Sequence, residues 1–199
     1  MTIDLLRQLC KFQDVSNRET RDAYFLTHIP SVGSAAYLNI VYKPPEVDLM
    51  EHVGRELKLP SKLQDFYRSW NGARLFVGAF SVYGCLPFNQ MQDRSDPTRL
   101  LPFDIRDVNG EFVQVTQAKD IVCIGSYSHD RSIFCIHRET LSVTCYVGKN
   151  FEKIRHEWAG LDHWLTDEIA RLSLLFDEKG THLVDKQFLL PGLMPLRLA

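Results

Sequence analysis

Apolar residues recur at helical spacing in four stretches of the chain and at strand spacing in several others, and their order predicts a fold. Leu5, Leu6, Leu9 and Phe12 predict a short amphipathic helix over Ile3 to Phe12. Met50, Val53 and Leu57 predict another over Leu49 to Leu57. After a Lys58-Leu59-Pro60 joint, Leu63, Phe66, Tyr67 and Trp70 stand at i, i+3, i+4 and i+7, placing four large side chains on one stripe of a core helix. Its start is marked either by Ser61 and Gln64 at capping-box spacing or by Pro60 in the first helical position. Asn71 and Gly72 both tolerate the left-handed conformation that closes a helix. Leu75, Phe76, Val77, Phe80, Val82 and Tyr83 then read as one or two short strands ending at Gly84.

Upstream, the polar run Asp14 to Asp22 and the loop signal Ser31 to Ser34 precede a strand candidate, Ala36 to Val41, which Pro44-Pro45 stops. Downstream, Asn89 to Thr98 reads as a polar surface loop. Asn109-Gly110, between Leu100 to Ile105 and Glu111 to Val115, predicts a tight hairpin. Ile121 to Gly125, Ser132 to Ile136 and Leu141 to Val147 follow as strands, so the middle of the chain reads as an antiparallel meander. Leu161, Trp164, Leu165, Ile169, Leu172 and Phe176 form a last helical stripe, with Gly180 placed to end it, and this helix should pack on the sheet. Leu189 to Leu198 is an apolar, proline-rich tail, either tied to the body or free to engage a partner. The sum is a single α+β domain, an antiparallel meander sheet with flanking helices.

Composition narrows the function. A chain of 199 residues with 45% hydrophobic content suits one domain with extensions. A net charge of −2 offers no electrostatic footprint for nucleic acid. No run approaches the roughly 20 apolar residues that span a bilayer, and no export signal opens the chain, so a soluble, cytoplasmic protein is expected. Cys10, Cys85, Cys123, Cys135 and Cys145 are odd in number, lack a CxxC, and sit mostly inside apolar runs, as reduced buried thiols do.

Candidate chemistry is weighed against plainer readings. Cys135 and His137 share one face of a strand, but zinc needs three or four ligands and no second close pair stands at the usual spacing, so no metal is expected. Ser126, His129 and Asp130 are better explained as a turn than as a triad. Gly72, Gly78 and Gly84 form no phosphate loop. Trp70 reads as a core anchor. No catalytic constellation and no cofactor site emerge, and a protein partner becomes the leading expectation.

The order amphipathic helix, Leu-Pro, second helix with Phe66-Tyr67, then Trp70-Asn71-Gly72, strand and Gly84 resembles the opening of the SUKH superfamily. Its later elements are matched by Ile121 to Ser126, by Ser132 to His137, and by a helix carrying Trp158, Leu161, Trp164 and Leu165. The resemblance runs from Pro44 to Glu178 and divides the chain into an extension (1–43) packed on the domain, a SUKH-like domain (44–180) and a tail (181–199). That superfamily includes yeast cell-wall synthesis regulators and many bacterial toxin-immunity proteins. The resemblance implies a non-enzymatic binding protein that neutralises a cognate toxin, or else a cytoplasmic regulatory or scaffold protein. Pro60, Trp70, Asn71, Gly72 and Gly84 form the structural motif. Glu46, Asp65, Tyr67 and Arg74 lie nearest it as candidate partner contacts, acidic and aromatic groups suiting a toxin basic enough to grip nucleic acid. Tyr67 could equally be core, and Asp65 a solvated helix face.

Overall fold

A computed structural model describes residues 17–28, 37–87, 101–116, 119–128, 132–147, 151 and 153–176. The readings made for the N-terminal helix, the loops at 31–34 and 89–98, His129 and Asp130, Gly180 and the tail lie outside these residues. The described chain is organised around nine strands: β1 (Arg18–Glu19), β2 (Ala23–His28), β3 (Tyr37–Tyr42), β4 (Ala73–Leu75), β5 (Phe80–Val82), β6 (Ile121–Tyr127), β7 (Ile133–His137), β8 (Val143–Tyr146) and β9 (Ile154–Trp158). They form one antiparallel sheet in sequential order. Four helices flank it: α1 (Val47–Glu56), α2 (Ser61–Tyr67), α3 (Ile105–Thr116) and α4 (Leu161–Ser173).

The register makes the two faces of the sheet explicit. Tyr24, Val41, Ala73, Val82, Gly125, Phe134, Cys145 and His156 stand directly opposite one another from β2 to β9. This inner row receives α4. Gly125 leaves room for the Trp164 indole, which a Cβ there would meet at 3.3 Å. Trp164 also meets Phe80 edge-on at 5.4 Å and lies 5.2 Å from Phe134. Because side chains alternate across a strand, the adjacent residues form a second row on the opposite face: Arg18, Phe25, Ile40, Arg74, Ser81, Ser126, Ile133 and Tyr146. The first row is mostly apolar and packed, and the second is mixed.

Several local expectations change. Asn109-Gly110 lies inside α3, where Ile105 and Val108 turn toward the core. The dipeptide permits a hairpin but does not demand one, and here tertiary bonds decide. Asn109 Nδ2 donates to the Ile105 and Cys123 carbonyls, both at 2.8 Å, and its Oδ1 accepts from Cys123 N–H at 2.8 Å. β5 pairs with β6 only as far as Gly125, so the Asn109 amide takes the place of a missing strand beside Cys123. Gly110 is exposed, and a Cβ there would meet nothing within 4 Å. Gly110→Ala should therefore stabilise the protein by about 0.5 to 1 kcal/mol, read as a raised denaturant midpoint. A lowered midpoint would mean that α3 is wrongly placed.

Trp158, assigned above to the last helix, ends β9, opposite Val143, and the helix begins at Leu161 after Gly160. β1, β2 and β9 were not anticipated. Phe176 lies beyond the helix and stacks on Phe76 at 5.3 Å. The capping box also fails to form: Pro60 occupies the cap position itself, and Gln64 Nε2 bonds the Leu59 carbonyl at 2.8 Å.

Candidate functional site

The Trp70-Asn71-Gly72 motif and Gly84 meet in space. The α2 helix stops at Tyr67, three residues short of the indole, so Asn71 and Gly72 are not its closing residues. Instead Asn71 N–H donates to the Tyr42 carbonyl at 3.0 Å, and its side-chain amide makes both backbone bonds of Cys85, at 2.6 and 2.8 Å. Gly72 has φ +81°, and a Cβ there would lie 2.5 Å from the Val82 oxygen. At Gly84 a Cβ would lie 2.1 Å from the Asn71 oxygen. These residues are a backbone crossing between the ends of β3, β4 and β5, which is why only small or amide side chains fit.

Below this crossing lies a polar knot. Asp104 and Arg106 form a buried ion pair at 2.7 Å, and the Asp104 carboxylate also accepts the Arg106 N–H at 2.8 Å at the start of α3. Arg106 reaches on to the Leu86 carbonyl. Tyr67 is fully buried, and its hydroxyl donates to the Tyr83 carbonyl at 2.9 Å. A second buried cluster joins the sheet to α4: the Tyr127 hydroxyl donates to Glu168, and Arg171 clamps both the Glu168 carboxylate and the Tyr127 oxygen. Glu168 and Arg171 stand at i, i+3, so their pairing was readable in the sequence, whereas Tyr127 lies 41 residues earlier and carries no such signal.

Burial holds protons on these groups. It pushes the Cys85 thiol up to about 12, with the Asp104 charge adding to the rise, and it raises Tyr42, Tyr67, Tyr83 and Tyr127 well above the usual tyrosine range. Glu168 adds to the rise at Tyr127. Unfolded thiols and tyrosines ionise near 9 and 10, so above those values the unfolded chain binds fewer protons than the native one and stability falls with pH. The denaturant midpoint should hold through neutral pH and drop steeply between about 9 and 12. A flat profile to pH 11 would contradict the burial of these hydroxyls.

Cys85, Cys123, Cys135 and Cys145 are buried. Cys123 and Cys135 face each other across β6 and β7 with sulfurs 3.3 Å apart. Cys135 shares a face with His137, as its spacing requires, yet His137 Nε2 contacts the Thr144 hydroxyl at 3.2 Å. Among the described residues no three His, Cys, Asp or Glu side chains converge as a metal site, and no helix is long and apolar enough to cross a membrane.

The candidate partner contacts are not one cluster. Glu46 is exposed at the cap of α1 without a side-chain cap bond. Asp65 is exposed on α2 and paired with Arg68, both well solvated, a contact worth little to stability. Arg74 is half-buried on β4, in the outer row of the sheet. Tyr67, with its hydroxyl spent in the core, is a packing residue.

No curated protein matches the chain at a significant level. The model of the SMI1 / KNR4 family (SUKH-1) does match, over residues 54–167. That span takes in the α1–α2 joint, the Trp70-Asn71-Gly72 crossing, the meander from β4 to β9 and half of α4, more than half the chain, and the chain belongs to the SMI1 / KNR4 family (SUKH-1).

Proposed function

We propose that this protein is a cytoplasmic immunity protein that neutralises a cognate toxin by occupying its surface. The observation that carries the reading is membership of a superfamily that includes immunity proteins and KNR4-like regulators. The physical chemistry of the chain supports a binding role: Asn71, Asn109, Asp104, Arg106, Tyr127 and Glu168 spend their polar atoms on joining sheet to helices and loops. Glu46 and Asp65 stay solvated and available to a basic partner. Such a complex would bury on the order of 800 Å² per partner, with affinity concentrated in a few positions.

The test is co-expression with the toxin domain encoded beside this gene. Wild type should restore growth, and Glu46→Lys with Asp65→Lys should abolish the rescue while leaving the melt unchanged. If no toxin gene is adjacent and purified complexes contain housekeeping enzymes or cytoskeletal proteins, the regulatory reading replaces this one.

A further inference from the structure

Cys123 on β6 stands directly opposite Cys135 on β7, and their sulfurs lie 3.3 Å apart. The kind of pairing follows from the backbone. Cys123 spends its N–H and its carbonyl on the Asn109 amide, both at 2.8 Å, so its main-chain groups point away from β7. The ladder agrees: Arg138 N–H donates to the Asp120 carbonyl at 2.8 Å, and because bonded pairs alternate, Val122 opposite Ile136 is bonded and Cys123 opposite Cys135 is not. In such a pair the Cα atoms approach to about 4.5 Å, inside the roughly 4.4 to 6.8 Å that a disulfide spans. A bond between these sulfurs therefore needs rotation of two side chains and no shift of either strand.

Both cysteines are buried, but they lie close beneath the surface. Cys135 shares the outer face of the sheet with Ile133 and His137, two residues away on either side and both half-buried. Beyond Gly125 no strand covers the other side of β6, and Cys123 is closed off there by α3, held at this point by Asn109. A local loosening of α3 uncovers the pair at a cost below that of global unfolding. Cys145, by contrast, stands opposite Phe134 in the inner row, on the other face of the sheet, and Cys85 lies past the end of β5 against the Asn71 amide.

We propose that Cys123 and Cys135 form a redox modification site, a dithiol that hydrogen peroxide converts to a cross-strand disulfide and that a dithiol reductant restores. One sulfur, as its thiolate, attacks a peroxide oxygen; the O–O bond breaks, a sulfenic acid forms, and the proton that the thiol gave up leaves in the first water. The neighbouring sulfur then attacks the sulfenic sulfur, the S–O bond breaks, and hydroxide leaves with the second thiol's proton as the second water. Two thiols and one peroxide give one disulfide and two waters. In the return step a reductant thiolate opens the bond through a mixed disulfide and leaves as its own disulfide, and both protein sulfurs take back a proton. Burial holds the Cys135 thiol protonated, so oxidation is slow and answers to sustained peroxide. The bond ties β6 to β7 beside the Asn109 anchor, which resists local opening of both strands.

The experiment treats the reduced, folded full chain with hydrogen peroxide, blocks the remaining thiols with iodoacetamide in denaturant, and maps tryptic peptides by mass. Cleavage after Arg131 and Arg138 puts Cys123, Cys135 and Cys145 on separate peptides. The expected product is the Cys123 peptide joined to the Cys135 peptide, lighter by two hydrogens than their sum, with Cys85 and Cys145 alkylated and the link lost on adding dithiothreitol. Cys145→Ser should keep the link. Cys123→Ser and Cys135→Ser should each lose it completely and leave a sulfenic acid that dimedone traps. Should a serine variant fail to fold, hydrogen exchange of the wild type supplies the second reading: exchange in β6 and β7 should slow on oxidation and recover with dithiothreitol. A chain that cross-links only in denaturant, or a link from either cysteine to Cys10, Cys85 or Cys145, would overturn the site. So would sulfinic acid at Cys123 or Cys135 as the main product.

Discussion

Trp70→Ala is expected to lower stability by about 3 to 5 kcal/mol, because it removes a large core side chain and leaves a cavity that rigid neighbours cannot fill. The indole is 3% exposed, lies just past α2, and belongs to the same core cluster as Tyr67, Leu75 and Tyr83. Its Nε1 makes no hydrogen bond, so the loss reports packing alone. Trp70→Phe should recover a large part of it. Equilibrium denaturation is the measurement, and a Trp70→Ala midpoint equal to wild type would place the indole outside the core.

Gly84→Ala is expected to cost about 4 kcal/mol or more, in the range reserved for broken networks and backbone strain. The added methyl would overlap the Asn71 carbonyl, and no flexible side chain can yield there, since the obstructing atom belongs to the main chain. Relief requires Gly84 to move. That loosens its bonds to the 103–105 segment, in which Gly84 N–H donates to the Phe103 carbonyl at 2.9 Å and its own carbonyl accepts from Ile105 N–H at 2.8 Å. The Asn71–Cys85 pair would open with them. Gly110→Ala is the same chemical change with the opposite expected sign, so the two together separate crowding from helix propensity. A Gly84→Ala variant within about 1 kcal/mol of wild type would show that the crossing tolerates side chains.

The parts of this fold that were legible in the sequence are those where local period and tertiary packing agree. The stripe from Leu63 to Tyr67 is helical and buried, and Leu161 to Leu172 is helical and packs on the sheet. Asn109-Gly110 misled because turn propensity is a local preference, and it is overridden by the two hydrogen bonds that Cys123 of β6 makes with the Asn109 amide. Trp158 misled because its spacing from Leu161 and Leu165 suits one helical face, yet Gly160 breaks the chain between them. β9 escaped notice because Arg155, His156 and Glu157 make a sheet edge that is polar on both faces.

The candidate site was legible only in part. Trp70, Asn71, Gly72 and Gly84 could be picked out as a motif, but helix closure was the wrong reason for Asn71, whose partner Cys85 lies 14 residues on. Arg74 could be named, but not its hydrogen bond with the Tyr42 hydroxyl, which depends on the register of β3 with β4 and on a turn whose left-handed Phe76 and Val77 no propensity predicts.

The immunity reading proposed above is tested most directly by titrating the purified chain with the catalytic domain of a toxin encoded next to its gene and reading heat and stoichiometry by calorimetry. A one-to-one complex with nanomolar affinity, weakened at least ten-fold by Glu46→Lys with Asp65→Lys, is the expected result. No detectable heat at micromolar concentrations, from a chain that melts cooperatively, would contradict it.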